Sequence, residues 1–356
     1  MKNTLQDQKY GVEIELTGLT RERAAEVIAD YFGTSYYHTG GCYDTYSVRD
    51  NTGRTWKVVK DASIDCTDRN GNEAGSSYSV EFVTPICVYE DIPNIQQLVR
   101  NLRHNGALAN NSCGIHVHVN GAPYDALSLR NLTNIMRAKE DLIYKALKVN
   151  PAREYRYCKK VDEDFLEELN RKKPKTLDKI QNIWYHGNDG SDVHYHPTRY
   201  RALNLHSLFS KGTIEFRLYD GTTHAGRIKT YIQLSLAISN QALNQSCASY
   251  RKTQSTNEKY TFRTWLLRLG MIGDEFKTAR KFLLENLDGC IAWKDPAQAL
   301  EQRERLKQAR QKESAQEQPE EKEEQQSCEQ EQPAGYSEQP DTEQDEEETM
   351  PMGLAM

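Results

Sequence analysis

Glutamate is disfavoured in β-strands, yet three separated strand-like stretches of this chain place glutamates at alternate positions: G-V-E-I-E-L at 11–16, S-V-E-F-V-T-P at 79–85 and G-T-I-E-F-R-L at 212–218. A fourth, C-G-I-H-V-H-V at 113–119, does the same with histidines. Side chains alternate faces along a strand. Glu13 and Glu15 therefore share one face while Val12, Ile14 and Leu16 share the other. His116 pairs with His118 in the same sense, and Glu215 with Arg217. One sheet built from these strands has an apolar face and a face of carboxylates, imidazoles and a guanidinium. An antiparallel sheet with one solvated face shows similar alternation, but such a face usually mixes Thr, Tyr, Lys and Gln. Here almost nothing neutral stands between the charged groups.

The 356 residues carry a net charge of −6, distributed unevenly. From residue 313 onward the chain is a low-complexity run of Gln, Glu, Pro and Ser with 15 acidic residues and one basic residue, Lys322. That composition cannot bury enough apolar surface to offset its ordering entropy, so the segment is expected to be a disordered acidic tail. The preceding 312 residues then carry about +8 and favour anionic ligands. Their Lys and Arg residues are dispersed, without a zinc-finger, homeodomain or RNA-recognition signature, which points to a nucleotide rather than a nucleic acid. The tail is read as a solubilising extension, with occupation of the basic surface as the alternative. Eight cysteines, none in a C-x-x-C pair, and a polar stretch at residues 1–10 fit a reduced, cytoplasmic protein. No apolar run approaches the roughly 18 residues of a membrane span.

Organisation along the chain follows from periodicity. Thr20 is placed to cap a helix with Ala24, Val27, Ile28 and Tyr31 on one face and Gly33 at its end. A turn-rich region at 34–72 contains one strand-like run, T-W-K-V-V-K at 55–60, which leads to Asp61 on the face of Lys57 and Val59. Helices are expected over 92–102, 126–147, 228–238, 262–269 and 274–287, and a surface helix and loop over 161–178. Alternating strands separated by helices argue for an α+β fold, a mainly antiparallel sheet with the active site on one face and helices on the other. The expected division is a catalytic domain over 1–295, with core motifs in 10–245 and a helical part in 246–295, then a charged helix and the tail over 296–356. Nothing in the sequence signals an oligomeric state.

Carboxylate oxygens are hard ligands suited to Mg²⁺ or Mn²⁺, and Mg²⁺ commonly bridges one or two carboxylates to substrate phosphates. Glu13, Glu15, Glu81 and Glu215 meet that demand, and Arg217 beside Glu215 suits a clamp on a transferring phosphoryl group. Structural pairing is the plainer role for each of His116, His118 and Arg217, and turn capping for Asn204. Cys113 is read as a buried small apolar residue, not a nucleophile. His194 and His196, in a loop, are candidates for substrate contact. With no G-x-x-x-x-G-K-[ST] loop in the chain, a nucleotide must be held by metal and side chains on the sheet.

These segments together resemble the amidoligases of the carboxylate–amine ligase group, distant relatives of glutamine synthetase and γ-glutamylcysteine ligase. The matching elements are GVEIE at 11–15, W-x-V-x-x-D-x-S at 56–63, EFVTP at 81–85, CGIHVHV at 113–119, RYRALNL at 199–205 and TIEFRLYDGT at 213–222, in the family's order. The acidic tail has no counterpart in that pattern. The resemblance implies a glutamine synthetase-like catalytic fold in which metal-bound ATP phosphorylates a carboxylate and an amine displaces the phosphate. It implies Glu13, Glu15, Glu81 and Glu215 as metal ligands, Asp61 as the group orienting the amine or a metal-bound water, and His116 and His118 as contacts to metal or phosphate. Arg199, Asn204 and Arg217 would bind nucleotide phosphates or the acyl phosphate. The expected partners are a carboxylate and an amine substrate: an amino acid, a peptide or a cell-wall precursor. A metal-dependent amide hydrolase and a non-catalytic binding protein of a mobile element or phage are the alternatives.

Overall fold

The computed structural model describes residues 4–295, 297–298 and 301–312. They fall in two units divided after Pro296. The described residues of the second unit, 297–298 and 301–312, are helical and exposed; the acidic run that follows lies outside the described residues.

The first unit is built on eight strands: β1 (Tyr10–Leu16), β2 (Tyr36–Gly40), β3 (Thr45–Arg49), β4 (Thr55–Val59), β5 (Val80–Val83), β6 (Gly114–Asn120), β7 (Leu203–Asn204) and β8 (Thr213–Asp220). They form one sheet in the order β2-β3-β4-β5-β1-β6-β8-β7, with every neighbouring pair antiparallel. Among its described residues the α-helices are α1 (Arg21–Phe32), α2 (Ile92–His104), α3 (Ala126–Leu147), α4 (Pro151–Arg156), α5 (Glu163–Lys172), α6 (Leu177–Trp184), α7 (His206–Lys211), α8 (Ala225–Asn244), α9 (Glu258–Arg268) and α10 (Lys277–Leu284). None is long and apolar enough to cross a membrane.

The α+β expectation holds at the level of a mixed structure with an antiparallel sheet. Trp56, Val58, Phe82, Ile14, Ile115, Val117 and Phe216 are fully buried on one face and join the apolar sides of α1, α2, α3 and α8 in one core. Burying such side chains contributes about 25 cal/mol per Å² of apolar surface, which fixes the register and so the composition of the opposite face. Thr20 caps α1 by accepting from Arg23 N at 3.2 Å, and Gly33, at φ 65°, ends it.

The turn-rich region holds more structure than its single expected strand. It contributes β2 and β3 as well, both short, half-exposed and rich in Tyr, His and Thr, so no apolar alternation marks them. The 161–178 stretch likewise resolves into α5 and the start of α6, and Phe165, Leu166 and Leu169 are buried rather than at the surface.

One irregularity shapes the site. Ile115 pairs with Tyr219 and Val117 with Phe216, so His116 stands opposite two residues, Arg217 and Leu218. This β-bulge shifts the alternation of β8 by one. Arg217 stays on the polar face, whereas Tyr219 turns into the core, stacks on Tyr231 at 4.4 Å and bonds Ser235 Oγ at 2.7 Å.

Candidate active site

The polar face is assembled by strand register. Glu13 lies opposite His116 across β1 and β6, Glu15 opposite Glu81 across β1 and β5, and His118 opposite Glu215 across β6 and β8. Asn204 of β7 completes the row beside Glu215, and Asp61 follows the end of β4. The structure thus brings together all four candidate glutamates, both strand histidines, Asp61, Asn204 and Arg217.

Ligand atoms from three overlapping trios lie within 4.8 Å of one another: Glu13, His118 and Glu215; Glu13, Glu81 and His116; and Glu15, Asp61 and Glu81. Glu13 and Glu81 are each shared by two trios. His116 Nδ1 is 3.2 Å from Glu13 Oε2 and 3.8 Å from Glu215 Oε1, and its Nε2 is 3.8 Å from Glu15 Oε1. His118 bonds Thr213 Oγ1 through Nδ1 at 3.1 Å. Its Nε2, 3.3 Å from Glu13 Oε2, is buried without a hydrogen bond of its own. A buried ring nitrogen beside a carboxylate, with its other nitrogen held by a hydroxyl, suits a histidine for metal ligation. The donor set fits a hard divalent cation such as Mg²⁺ or Mn²⁺.

The supporting bonds hold the carboxylates in place. Glu15 Oε2 accepts from Gly114 N at 2.5 Å. Asp61 Oδ1 accepts from Ser63 N and Oγ, each at 2.6 Å. Glu215 accepts from Asn204 Nδ2 at 2.6 Å through Oε2 and from Arg217 Nη1 at 2.8 Å through Oε1. Arg217 is thereby an ion-pair partner, as in the plainer expectation, but its buried Nε has no hydrogen-bond partner and remains a donor inside the site. Asn204 likewise serves Glu215 rather than only a turn.

Charge sorts the carboxylates. Burial alone would raise Glu13, yet His118 and His116 outweigh it and hold Glu13 well below the ordinary range. Burial is likewise overcome at Glu215, where Arg217 and both histidines bring the carboxyl down to about 2. Glu81 goes the other way: burial, then the carboxylates of Glu13, Glu15 and Asp61, push it well above the ordinary range. His118 is raised, because Glu13 overcomes the cost of burying its charge. The site is therefore a graded acidic row that is under-neutralised at its Glu81 end.

Two cavities flank this row. One of about 460 Å³ has a largely apolar wall from Val83, Pro85 and Ile86 and reaches Glu13 and His118. The other, of about 270 Å³, lies over β7 and α7 and includes Arg199, Asn204 and Glu215. Lys211 borders both.

Arg199 donates to His194 O at 3.1 Å, and its guanidinium lies 5.8 Å from the ring of Tyr200, which Arg217 approaches at 5.9 Å. Of the loop histidines, His194 lines the smaller cavity. His196 sits behind it, stacked on His206 at 5.6 Å and packed so closely on Gly190 that a Cβ there would come within 2.6 Å of the ring.

Sequence reasoning missed His206, Lys211 and Tyr185. His206 directly follows the R-Y-R-A-L-N-L motif, which was the available signal. Its Nδ1 meets Tyr185 Oη at 2.6 Å, and burial with the nearby His196, Arg199 and Lys211 lowers its pKa. Lys211 ends a six-residue helix and has no motif around it. Cys113 is fully buried, and burial pushes its thiol up to about 11, as expected of an inert cysteine.

No curated protein sequence shows a significant match to this chain. The family model described as "Putative amidoligase enzyme" matches residues 6–239, a span that includes all eight strands and both cavities. The chain belongs to the amidoligase family.

Proposed function

We propose that this protein is an ATP- and Mg²⁺- or Mn²⁺-dependent carboxylate–amine ligase that forms an amide through an acyl phosphate, on a glutamine synthetase-like site. The observation that carries this reading is the convergence of Glu13, Glu81 and Glu215 with the unbonded His118 Nε2 on one sheet face. Glu13, Glu15, Glu81 and Glu215 would hold the metal, with His116 and His118 as contacts to metal or phosphate. When bound, the metal would neutralise phosphate charge and orient an in-line transfer.

The chain's own groups supply the rest. The acid's carboxylate oxygen bonds to the terminal phosphorus of ATP and ADP leaves. Arg217, buried beside Glu215 with a free Nε, faces charge that develops on the transferring group. The amine nitrogen then bonds to the acyl carbon, the carbon–oxygen bond to phosphate breaks, and phosphate departs. Asp61, at the edge of the row, would orient the amine and take its proton. Acid, amine and ATP become amide, ADP, phosphate and a proton, with no protein nucleophile required.

The test is ADP release by the full chain with Mg²⁺ and ATP across a panel of acids and amines, with amide formation followed by mass. ADP release that requires both an acid and an amine supports the reading. Amide cleavage without nucleotide would replace it with hydrolysis by the same carboxylates.

A further inference from the structure

The two cavities beside the acidic row differ in size and wall. The wall from Val83, Pro85 and Ile86 suits a flat apolar body, and Ile86 stands 72 % exposed along it. The cavity over β7 and α7 is built from the opposite materials. Arg199, Lys211, His194 and His206 face it, with Asp192 and Glu215 as its acids. Glu215 already receives Arg217 and Asn204, so Arg199 and Lys211 face Asp192 as the one lining acid left to pair with them. Arg199 is fixed between the rings of Tyr195 and Tyr200, and His206 between Tyr185 and His196.

Size separates the two further. Sites for drug-sized ligands run upward from roughly 300 Å³. The 460 Å³ cavity is in that range and has room for a nucleoside, whereas the 270 Å³ cavity suits a molecule of amino-acid size. Both reach the row, one at Glu13 and His118 and the other at Glu215, which belong to a single trio of ligand atoms. A phosphoryl group arriving from one side would there meet a carboxylate arriving from the other.

We infer that the cavity over β7 and α7 seats the acid substrate, and that this acid carries a second anionic group, carboxylate or phosphate, anchored by Arg199 and His206 while the reacting carboxylate points to Glu215. The inference rests on the ligase reading. It gives Arg199 a role at the acid rather than at the nucleotide. Charge-assisted hydrogen bonds with planar geometry favour a guanidinium for such an anchor.

The test is calorimetric titration of the full chain with Mg²⁺ and a non-hydrolysable ATP analogue, using three probes: glutarate, its monoanionic five-carbon counterpart valerate, and 3-phosphoglycerate. Binding of glutarate or 3-phosphoglycerate at least about tenfold tighter than valerate is expected, and whichever binds identifies the anchor group. Arg199→Met removes the cation. Ser210→Asp adds an acid at an exposed position of the rim. Each should weaken that binding about 10- to 100-fold and leave affinity for the ATP analogue unchanged. Equal binding of all three acids, no acid binding at all, or an equal loss of nucleotide affinity in the variants overturns the inference. These readouts need no turnover. Selective acid binding without ADP release for any acid and amine would remove the ligase reading and keep the pocket.

Discussion

Glu15 and Glu81 stand directly opposite each other across the β1–β5 ladder, where like charges oppose sheet formation. The strain is concentrated at Glu81, which burial and three neighbouring carboxylates push well above the ordinary range. A group whose folded pKa exceeds its unfolded value contributes stability in full below the unfolded value and loses it as pH rises through the folded one. The metal-free protein should therefore become less stable as pH rises from the ordinary carboxylate range towards neutrality. Glu81→Gln should flatten that decline and raise the midpoint of metal-free thermal unfolding at pH 7 by about 2–4 °C, equivalent to about 1 kcal/mol. An unchanged or lower midpoint would show that Glu81 does not destabilise the metal-free protein.

The acidic row was legible because it consists of alternating patterns inside strongly apolar strands. Val12, Ile14 and Leu16 fix which face Glu13 and Glu15 occupy, and the same logic reaches Glu81, His116, His118 and Glu215. Three things were not legible. The bulge opposite His116 depends on pairing between distant strands, so nothing local in β8 announces that Tyr219 turns inward. Strands β2 and β3 lack apolar alternation because their outward faces meet water. The partnership of Tyr185, His196 and His206 brings together separate turns of chain, and its members look like ordinary loop and helix residues until they are stacked.

Metal binding should release protons. Without metal, Glu81 and His118 both hold protons above their ordinary pKa values, and each must lose its proton to become a ligand. Apparent Mn²⁺ affinity should therefore rise with pH across the neutral range. Glu215, held at about 2, contributes nothing to that slope because it is ionised throughout. Calorimetry in two buffers of different ionisation enthalpy measures the protons released directly, and a value of zero would mean that neither group ligates the ion. Glu13→Gln with Glu15→Gln should abolish metal-dependent nucleotide binding with the far-UV circular dichroism unchanged.

Asn204 reaches the acidic row through Glu215, to which it donates at 2.6 Å. It is a positioning residue, and loss of such a partner typically lowers metal affinity 10- to 100-fold. Asn204→Leu should reproduce that loss in Mn²⁺ titrations followed by electron paramagnetic resonance. Asn204→Asp should lose more, because a second carboxylate beside Glu215 repels it. Wild-type Mn²⁺ affinity in both variants would leave Arg217 as the sufficient support for Glu215.

Gly114 carries a demand that its sequence position does not advertise. A Cβ on it would lie 2.2 Å from a guanidinium nitrogen of Arg153, and Arg153 is itself buried and paired with Asp220 at 3.1 Å. Gly114 also donates its backbone N–H to Glu15. Gly114→Ala must therefore displace either a buried ion pair or the first residue of β6, at a cost of about 1–3 kcal/mol. Gly75 is the control, since a Cβ there meets nothing within 4 Å and its φ is −70°; Gly75→Ala should stay within about 0.5 kcal/mol of the parent in urea unfolding. Metal affinity separates local from global damage. If β6 moves, Glu15 loses its backbone donor and Mn²⁺ binding weakens along with stability, whereas an Arg153 that simply swings aside lowers stability and leaves Mn²⁺ binding intact.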